Sequence, residues 1–179
     1  MYTDINPTKI FKYCPACGSG EFETIGTRAK KCRKCSFTYY FNVASAVAGL
    51  IFDKNGRLLL VRRGIQPFLG KMDLPGGFVE PFETAEESLI REIKEELGIT
   101  VKEPEYCCSF PNEYPFSGID IYTLDFAFSI NIGPSVKMTP KDDISDFKFY
   151  KPEDIPWDNL QGSSMIKIIK TAIKQNIKK

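Results

Sequence analysis

Histidine is absent from this chain of 179 residues. Its absence excludes Ser-His-Asp and Cys-His catalysis, phosphohistidine chemistry and every histidine-containing metal site. Acid–base work therefore falls to carboxylates, lysine, tyrosine, cysteine or metal-bound water. An excess of charge of either sign is missing too. The formal net charge is +1, so no overall field recruits nucleic acid or a membrane surface. No apolar run approaches the roughly 20 residues of a transmembrane helix, and no membrane partner is expected. The first stretch, MYTDINPTKIFKYC, has no apolar segment of the kind a secretory leader carries, and a cytoplasmic location is expected.

What is present is a globular balance, 42% hydrophobic and 26% charged, on a chain long enough for one ordinary domain and a small module. The charge is unevenly spread. Seven glutamates lie between Glu80 and Glu96 against only Arg91 and Lys94, while Arg28–Lys34 holds five basic residues and no acid.

Four of the six cysteines form two pairs, CPAC (Cys14, Cys17) and CRKC (Cys32, Cys35), with fourteen residues between them. Two C-x-x-C knuckles at this separation predict a tetrahedral four-thiolate site for a structural Zn²⁺. The disulfide alternative needs an oxidising compartment that nothing in the sequence supports. Over about Lys12–Tyr40 the pattern resembles known zinc ribbons, modules too small to fold without their metal. Residues 1–41 are expected to form this module. Its basic residues could touch RNA phosphates or simply be solvated, and solvation is the commoner outcome. Cys107 and Cys108 lack a second pair and are expected to pack in the core.

The second part is expected over residues 42–179. VASAVAGLIFD and LLLVRR flank an Asn-Gly turn and predict a β-hairpin. Strand-like runs recur at EYCCSF, DIYTLDFAFSI and FKFY, and a last helix is expected from Ser164 to about Ile177, burying Met165, Ile169, Ala172 and Ile173. The class is α+β with a mixed sheet.

Between them stands TAEESLIREIKEELG. Thr84 and Glu87 make a capping box and Gly98 a terminator. On this helix Leu89, Ile90, Ile93 and Leu97 form one stripe, and Glu92, Glu95 and Glu96 line its border at i, i+3 and i+4. Like charges at that spacing cost about 0.2–0.5 kcal/mol per pair unless something neutralises them. Either they are a solvated acidic face tempered by Lys94 and Arg91, or they converge on divalent cations. All-oxygen donors suit Mg²⁺ or Mn²⁺.

Reading outward, Gly77 is followed by five residues, Glu83, seven residues, Arg91-Glu92, Ile93, Lys94, Glu95-Glu96, Leu97, Gly98 and Ile99. This resembles the Nudix box, G-x5-E-x7-R-E-U-x-E-E-x-G-U with U aliphatic, at each specified position. The resemblance implies an α/β/α sandwich around a mixed sheet and hydrolysis of a pyrophosphate in a nucleoside diphosphate linked to another moiety. It implies Glu92 and Glu96 as principal Mg²⁺ ligands, Glu95 as a third, and a carbonyl of Gly76 or Gly77. It makes Arg91 and Glu83 the brace that orients them, and it allows Gly77 to approach phosphate. A base for the attacking water is sought in Glu92 or in the loop TPKDDISD, where Asp143 aligns best and Asp142 next. A homodimer is a common assembly in such proteins.

A zinc ribbon joined to a Nudix domain resembles the NADH pyrophosphatases, which carry S-Q-P-W-P-F-P-x-S downstream. Here Ser109–Ser117 is SFPNEYPFS, keeping Ser109, Pro111, Pro115 and Ser117 but placing Phe110, Asn112, Glu113 and Tyr114 at the other fixed sites. Phe110, Tyr114, Phe116 and Tyr122 could stack a nucleobase, and Asn112 could hydrogen-bond its edge. ADP-ribose, NADH, FAD, a dinucleoside polyphosphate and the NAD cap of RNA are the substrates this leaves open. The alternative class is a nucleotide- or nucleic-acid-binding regulator on the same scaffold.

Overall fold

The structure is a computed structural model in which residues 7–133 and 136–176 are described. The chain divides into two compact units, residues 1–43 with 113–122, and residues 44–112 with 123–179.

The first unit holds a single helical turn, α1 (Pro7–Ile10), and an antiparallel sheet of β1 (Phe22–Ile25), β2 (Ala29–Cys32) and β3 (Thr38–Tyr40) in that order. The two C-x-x-C stretches fold alike. Each closes with an amide donated back to its first cysteine, Gly18 N to Cys14 O at 2.8 Å and Ser36 N to Cys32 O at 3.0 Å. Each closing residue is left-handed, Gly18 at φ 71° and Ser36 at φ 63°. The core beneath is small: Cys14, Phe22 and Cys32, with Phe37 against them.

The second unit is built on β4 (Ala44–Ile51), β5 (Leu58–Arg63), β6 (Met72–Asp73), α2 (Ala85–Leu97), β7 (Glu105–Phe116), β8 (Ile119–Ile130), β9 (Ile144–Tyr150) and α3 (Ser163–Asn176). The joined ends of β7 and β8 fall in the first unit. One sheet has the order β4-β8-β7, with β4 parallel to β8 from Ala44↔Thr123 to Ile51↔Ile130. The other has the order β6-β5-β9 and is antiparallel. Period-2 alternation sends successive residues to opposite faces. Leu50, Leu58, Leu60 and Ala127 pack with Met165, Ile168, Ile169 and Ala172 of α3. Val47, Leu59, Val61 and Phe128 pack with Leu89, Ile93 and Leu97 of α2. A helix therefore covers each face, as an α/β/α sandwich requires, and each fully buried aliphatic side chain contributes about 1.5–3 kcal/mol.

Two expectations need correcting. The Asn-Gly turn forms, with Asp53 Oδ1 accepting from the Asn55 and Arg57 amides at 2.9 Å each. The flanking strands, however, do not zip into a hairpin. Only the bridge Phe52↔Leu58 joins them, and β4 and β5 take partners in different sheets. Long-range pairing with β8 and β9 has outcompeted the local ladder. The strand expected at EYCCSF instead continues to Phe116. As the edge of its sheet, β7 tolerates Pro111 and Pro115, whose missing amides cost a partnered strand more. In α3 the buried stripe gains Ile168, and the expected end at Ile177 lies outside the described residues.

Candidate active site and cysteine cluster

Helix α2 starts and stops where its caps dictate. Thr84 Oγ1 accepts from the Glu87 amide at 3.1 Å, Glu87 Oε2 accepts from the Thr84 amide at 2.9 Å, and Gly98 closes it at φ 70°. Such a cap is worth about 1 kcal/mol. With both ends set, the wheel position of every glutamate follows.

Glu96 turns inward. It is 5% exposed, and its Oε2 accepts the Gly76 amide at 2.9 Å. Burial pushes its carboxyl up to about 9 against the opposing pull of that amide, with the charges of Glu92, Asp73 and Asp143 adding to the rise. Glu92 stands beside it, its carboxyl also raised by burial and steadied by Arg91. Glu95 is the most open of the three, with its side chain 46% exposed.

Arg91 holds this set. Its Nε and Nη2 donate to the two oxygens of Glu83 at 2.7 and 2.9 Å, and Nη2 also reaches the Phe78 carbonyl at 3.1 Å. The opposite edge, Nη1, donates to Glu92 Oε1 at 2.8 Å and Glu95 Oε2 at 3.1 Å. The bidentate grip keeps the Glu83 carboxyl down at about 2. One cationic nitrogen thus sits against two of the three glutamates.

The glycine pair is locked along β4. Gly49 N donates to Pro75 O and Val47 N to Gly77 O, both at 2.8 Å, so the carbonyls on either side of Gly76 are already engaged. A Cβ on Gly76, at φ 146°, would collide with the Val47 carbonyl, and one on Gly77 would collide with the Glu92 carboxylate. The loop after residue 138 is pinned to the same region. Thr139 N donates to Leu97 O at 3.0 Å, Lys141 N to Glu96 O at 2.9 Å and Gly64 N to Asp143 O at 2.7 Å. Asp142 is left-handed at φ 50°, and the Asp143 carboxyl is raised by burial and by the Asp142 charge.

The structure therefore gathers Glu83, Arg91, Glu92, Glu95, Glu96, Gly76, Gly77 and the loop of Asp142 and Asp143 around one half of α2. The nucleobase candidates are more scattered. Phe110 packs against the α3-side core, and Asn112 lies beside Gly162 at the start of α3. In the other unit, Tyr114 and Phe116 stack on each other with centroids 6.5 Å apart. Residues missed from the sequence are Arg63, Asp73 and Asp125. Asp125 is buried, taking 2.6 Å hydrogen bonds from Thr123 and Ser164. Its signal was an acid on the inward-facing register of an apolar strand, two residues from Thr123 and Ala127.

In the first unit, Cys14, Cys17, Cys32 and Cys35 bring their sulfurs within 4.8 Å of one another. Cys14 and Cys35 Sγ are 3.7 Å apart, as are Cys17 and Cys32 Sγ. That is far beyond a disulfide bond. It matches the roughly 3.8 Å edge of a tetrahedron built on Zn–S bonds of about 2.3 Å. The Cys32 thiol is lowered to about 7, chiefly by the Cys35 backbone amide, while the Cys35 thiol, against the pull of the Phe37 amide, is pushed up to about 12 by the Cys17 sulfur and by burial. Of the basic stretch, Lys30 is buried with Nζ on the Thr8 carbonyl at 3.1 Å, and Arg33 pairs with Glu23 at 2.8 Å. Arg28, Lys31 and Lys34 remain exposed.

Residues 43–170 match the model of the NUDIX domain. The chain belongs to the NUDIX domain family. Among its relatives are an NAD-capped RNA hydrolase NudC of Deinococcus radiodurans, 34% identical over 118 residues (65% of this chain and 42% of that protein), and an ADP-ribose pyrophosphatase of Methanocaldococcus jannaschii, 48% identical over 66 residues (37% of this chain and 38% of that protein). The chain spans about half or less of the length of these curated relatives. A solved NUDIX hydrolase from Nitrosomonas europaea has the same fold, with a TM-score of 0.68 at 22% identity over 94% of this chain and 93% of that one. No described helix of this Nudix chain is long and apolar enough to cross a membrane.

Proposed function

We propose that the chain is a divalent-metal-dependent pyrophosphohydrolase acting on a nucleoside diphosphate linked to another moiety. The observation that carries this is the shared Arg91 nitrogen: a cation placed between Glu92 and Glu95, next to a buried Glu96 that lacks one. Among the described residues the four cysteines are the one group of metal-ligating side chains gathered within 4.8 Å, so the glutamates would have to turn toward a shared ion. Their donor chemistry fits Mg²⁺ or Mn²⁺, held by Glu92, Glu95, Glu96 and the Gly76 carbonyl. The ion would supply neutralisation of the pyrophosphate and a water of lowered pKa. Arg91, anchored by Glu83, holds Glu92 and Glu95 through one nitrogen and so aims both. Gly77 leaves room for the Glu92 carboxylate against the loop. Asp143, on its pinned loop, accepts the proton of the water that attacks one phosphorus, and the other phosphate departs to leave a nucleoside monophosphate.

The remaining assignments belong to the same reading. The four cysteines hold a structural Zn²⁺ in a ribbon over residues 1–41, and residues 42–179 form the Nudix domain. All six cysteines are free, which suits a reducing cytoplasm. Tyr114 and Phe116, with Phe110 and Asn112 further along the same strand, contribute to nucleotide binding. Relatives named as ADP-ribose pyrophosphatase and as NAD-capped RNA hydrolase support ADP-ribose first and an NAD-capped RNA second, the latter through Arg28, Lys31 and Lys34.

The test is product analysis by chromatography with Mg²⁺ and a panel of ADP-ribose, NADH, NAD⁺, FAD, diadenosine polyphosphates and NAD-capped RNA, with Glu96→Gln as control. AMP, or for the capped RNA its 5′-monophosphate product, released selectively and only by the unmutated protein supports the reading. Tight nucleotide binding without hydrolysis across the panel would sink it in favour of a regulator.

A further inference from the structure

The sheet of the first unit has two unlike faces. Register puts Phe22, Lys30, Cys32 and Tyr39 on one and Ile25, Lys31 and Tyr40 on the other. The first face is occupied within the unit. Phe22 and Cys32 belong to its small core, Lys30 Nζ donates to the Thr8 carbonyl at 3.1 Å, and Tyr39 meets Phe41 edge to face with centroids 5.0 Å apart.

The second face presents side chains that the unit does not consume. Tyr40 is 52% exposed, and Ile25, in the same cross-strand row through Ala29, is 41% exposed. The Arg28 guanidinium stands over the Tyr40 ring, 5.7 Å from its centroid. Lys31 is exposed on this face one row along, about 7 Å away on the pleat. The one acid directly opposite Lys31, Glu23, is taken by Arg33 at 2.8 Å. Among the described residues neither Arg28 nor Lys31 is paired with a carboxylate. An exposed ring under a guanidinium, with an apolar neighbour and a second cation one row away, suits a ligand that brings flat rings and negative charge together. Unpaired nucleotides bring both, since bases stack on aromatic rings and guanidinium planes while phosphates meet the cations. A duplex hides its base faces and offers only phosphates.

We propose that this face is a stacking platform for single-stranded RNA, one base lying on the Tyr40–Arg28 pair and Lys31 taking a flanking phosphate. The proposal rests on the capped-RNA reading for its ligand. To the cations named there it adds an aromatic group that tells unpaired chain from paired.

The test is fluorescence anisotropy on the full chain, with zinc content measured for every variant. The probes, without Mg²⁺, are a short labelled single-stranded RNA, a blunt duplex of the same sequence, and an abasic oligonucleotide with the same phosphates. Tyr40→Leu keeps apolar bulk and loses the ring; it is expected to weaken single-strand binding about 5–100-fold and to leave the abasic probe unaffected. Lys31→Gln should weaken both and lower the slope of log affinity against log salt by about 0.7. Tyr40→Trp guards against a fold defect: with zinc at the parent level it should hold or raise single-strand affinity, and a loss there overturns the proposal. Equal losses on the single-stranded and abasic probes, or a duplex bound as tightly as the single strand, leave charge alone and overturn it too. So does self-association in sedimentation that Tyr40→Leu abolishes while RNA binding stays unchanged, which would make the face a contact between copies. Hydrolysis of capped RNA is scored separately. Tyr40-dependent binding with no 5′-monophosphate product supports the platform and removes capped RNA as substrate, whereas hydrolysis at the parent KM in Tyr40→Leu overturns the platform and keeps the substrate.

Discussion

The Gly76 amide donates to Glu96 Oε2 across 2.9 Å, and this one bond ties the glycine loop to the deepest carboxylate of α2. Among the described residues it is the one hydrogen bond this buried carboxyl receives. Desolvation outweighs it, and the carboxyl is raised to about 9. A group shaped this way in the absence of a cation is poorly matched to water or to apolar packing, and well matched to a divalent ion.

That mismatch has a pH signature. The folded value of Glu96, about 9, lies above its ordinary 4.5, so it contributes stability in full below about 4.5 and loses it as pH rises through about 9. Asp73 shifts the same way, from 3.8 to about 7. Protein retaining zinc but given no Mg²⁺ is expected to melt at progressively lower temperature as pH rises across that window, and Mg²⁺ is expected to restore the alkaline side. Glu96→Gln should flatten part of the slope and abolish turnover without lowering the neutral-pH melting temperature. Differential scanning fluorimetry across pH, with and without Mg²⁺, reads all three; an unchanged slope in Glu96→Gln would refute the assignment.

Adjacent glycines should fail in different ways. Gly77→Ala drives a methyl into the Glu92 carboxylate, the far end of a side chain that can swing aside. Its fold should survive with kcat down about 100-fold, since the proposed metal ligand Glu92 would be displaced. Gly76→Ala instead meets the Val47 carbonyl at a φ of 146° that L-residues rarely adopt, and strain of this kind costs about 1–3 kcal/mol or more. Its melting temperature should drop by several degrees. Paired melting curves and kcat values check the contrast, and an equal loss of stability in both would contradict it.

How much of this was legible in the sequence depends on how local the cause was. The limits of α2 follow from Thr84, Glu87 and Gly98, all within one turn of its ends, and the structure reproduces them. The two knuckles follow from cysteine spacing, and the four sulfurs do meet. The β4–β5 hairpin was misread because a strong turn states only that the chain reverses. Whether the strands then pair is decided by competitors more than 70 residues away, Thr123 to Ile130 for β4 and Ile144 to Tyr150 for β5. Arg63 and Asp73 were invisible for a similar reason. Each is an ordinary charge at a strand end until tertiary packing sets Arg63 Nη1 3.6 Å from Asp73 Oδ2.

The brace behind the glutamates should be separable from the ligands themselves. Glu83 holds Arg91 by its Nε–Nη2 edge and touches none of the three glutamates directly. Glu83→Gln keeps the shape but loses the ionic half of the grip, so Arg91 should wander and Glu92 and Glu95 with it. Mn²⁺ affinity, followed by electron paramagnetic resonance, and kcat are each expected to fall about 10–100-fold. Because Arg91 holds the Glu83 carboxyl at about 2, below its ordinary 4.5, the stabilisation is present above pH 4.5 and lost as pH falls toward 2. Glu83→Gln should therefore narrow the difference in melting temperature between neutral and acidic pH. Wild-type Mn²⁺ affinity in this variant would mean that the helix alone aims the ligands.

The cysteine cluster predicts a metal dependence of its own, distinct from that of the hydrolytic site. The first unit buries little beyond Cys14, Phe22 and Cys32, too small a core to hold three short strands unaided. Its remaining cohesion would come from zinc, and structural zinc sites of this kind are folded only when loaded. Purified protein is expected to contain about one zinc per chain by atomic emission. Cys17→Ser or Cys35→Ser, each replacing one thiolate on the exposed side of the cluster, should lower the zinc content and expose residues near Tyr13 and Tyr39 to proteolysis. The second unit has its own two cores on the faces of its sheets, so Mg²⁺-dependent stabilisation of the Nudix body should persist after zinc is removed with a thiol-competitive chelator. Limited proteolysis followed by mass spectrometry locates the damage: cuts confined to the first unit are the expected result, and cuts spread evenly over both would mean that zinc supports the whole chain rather than one module.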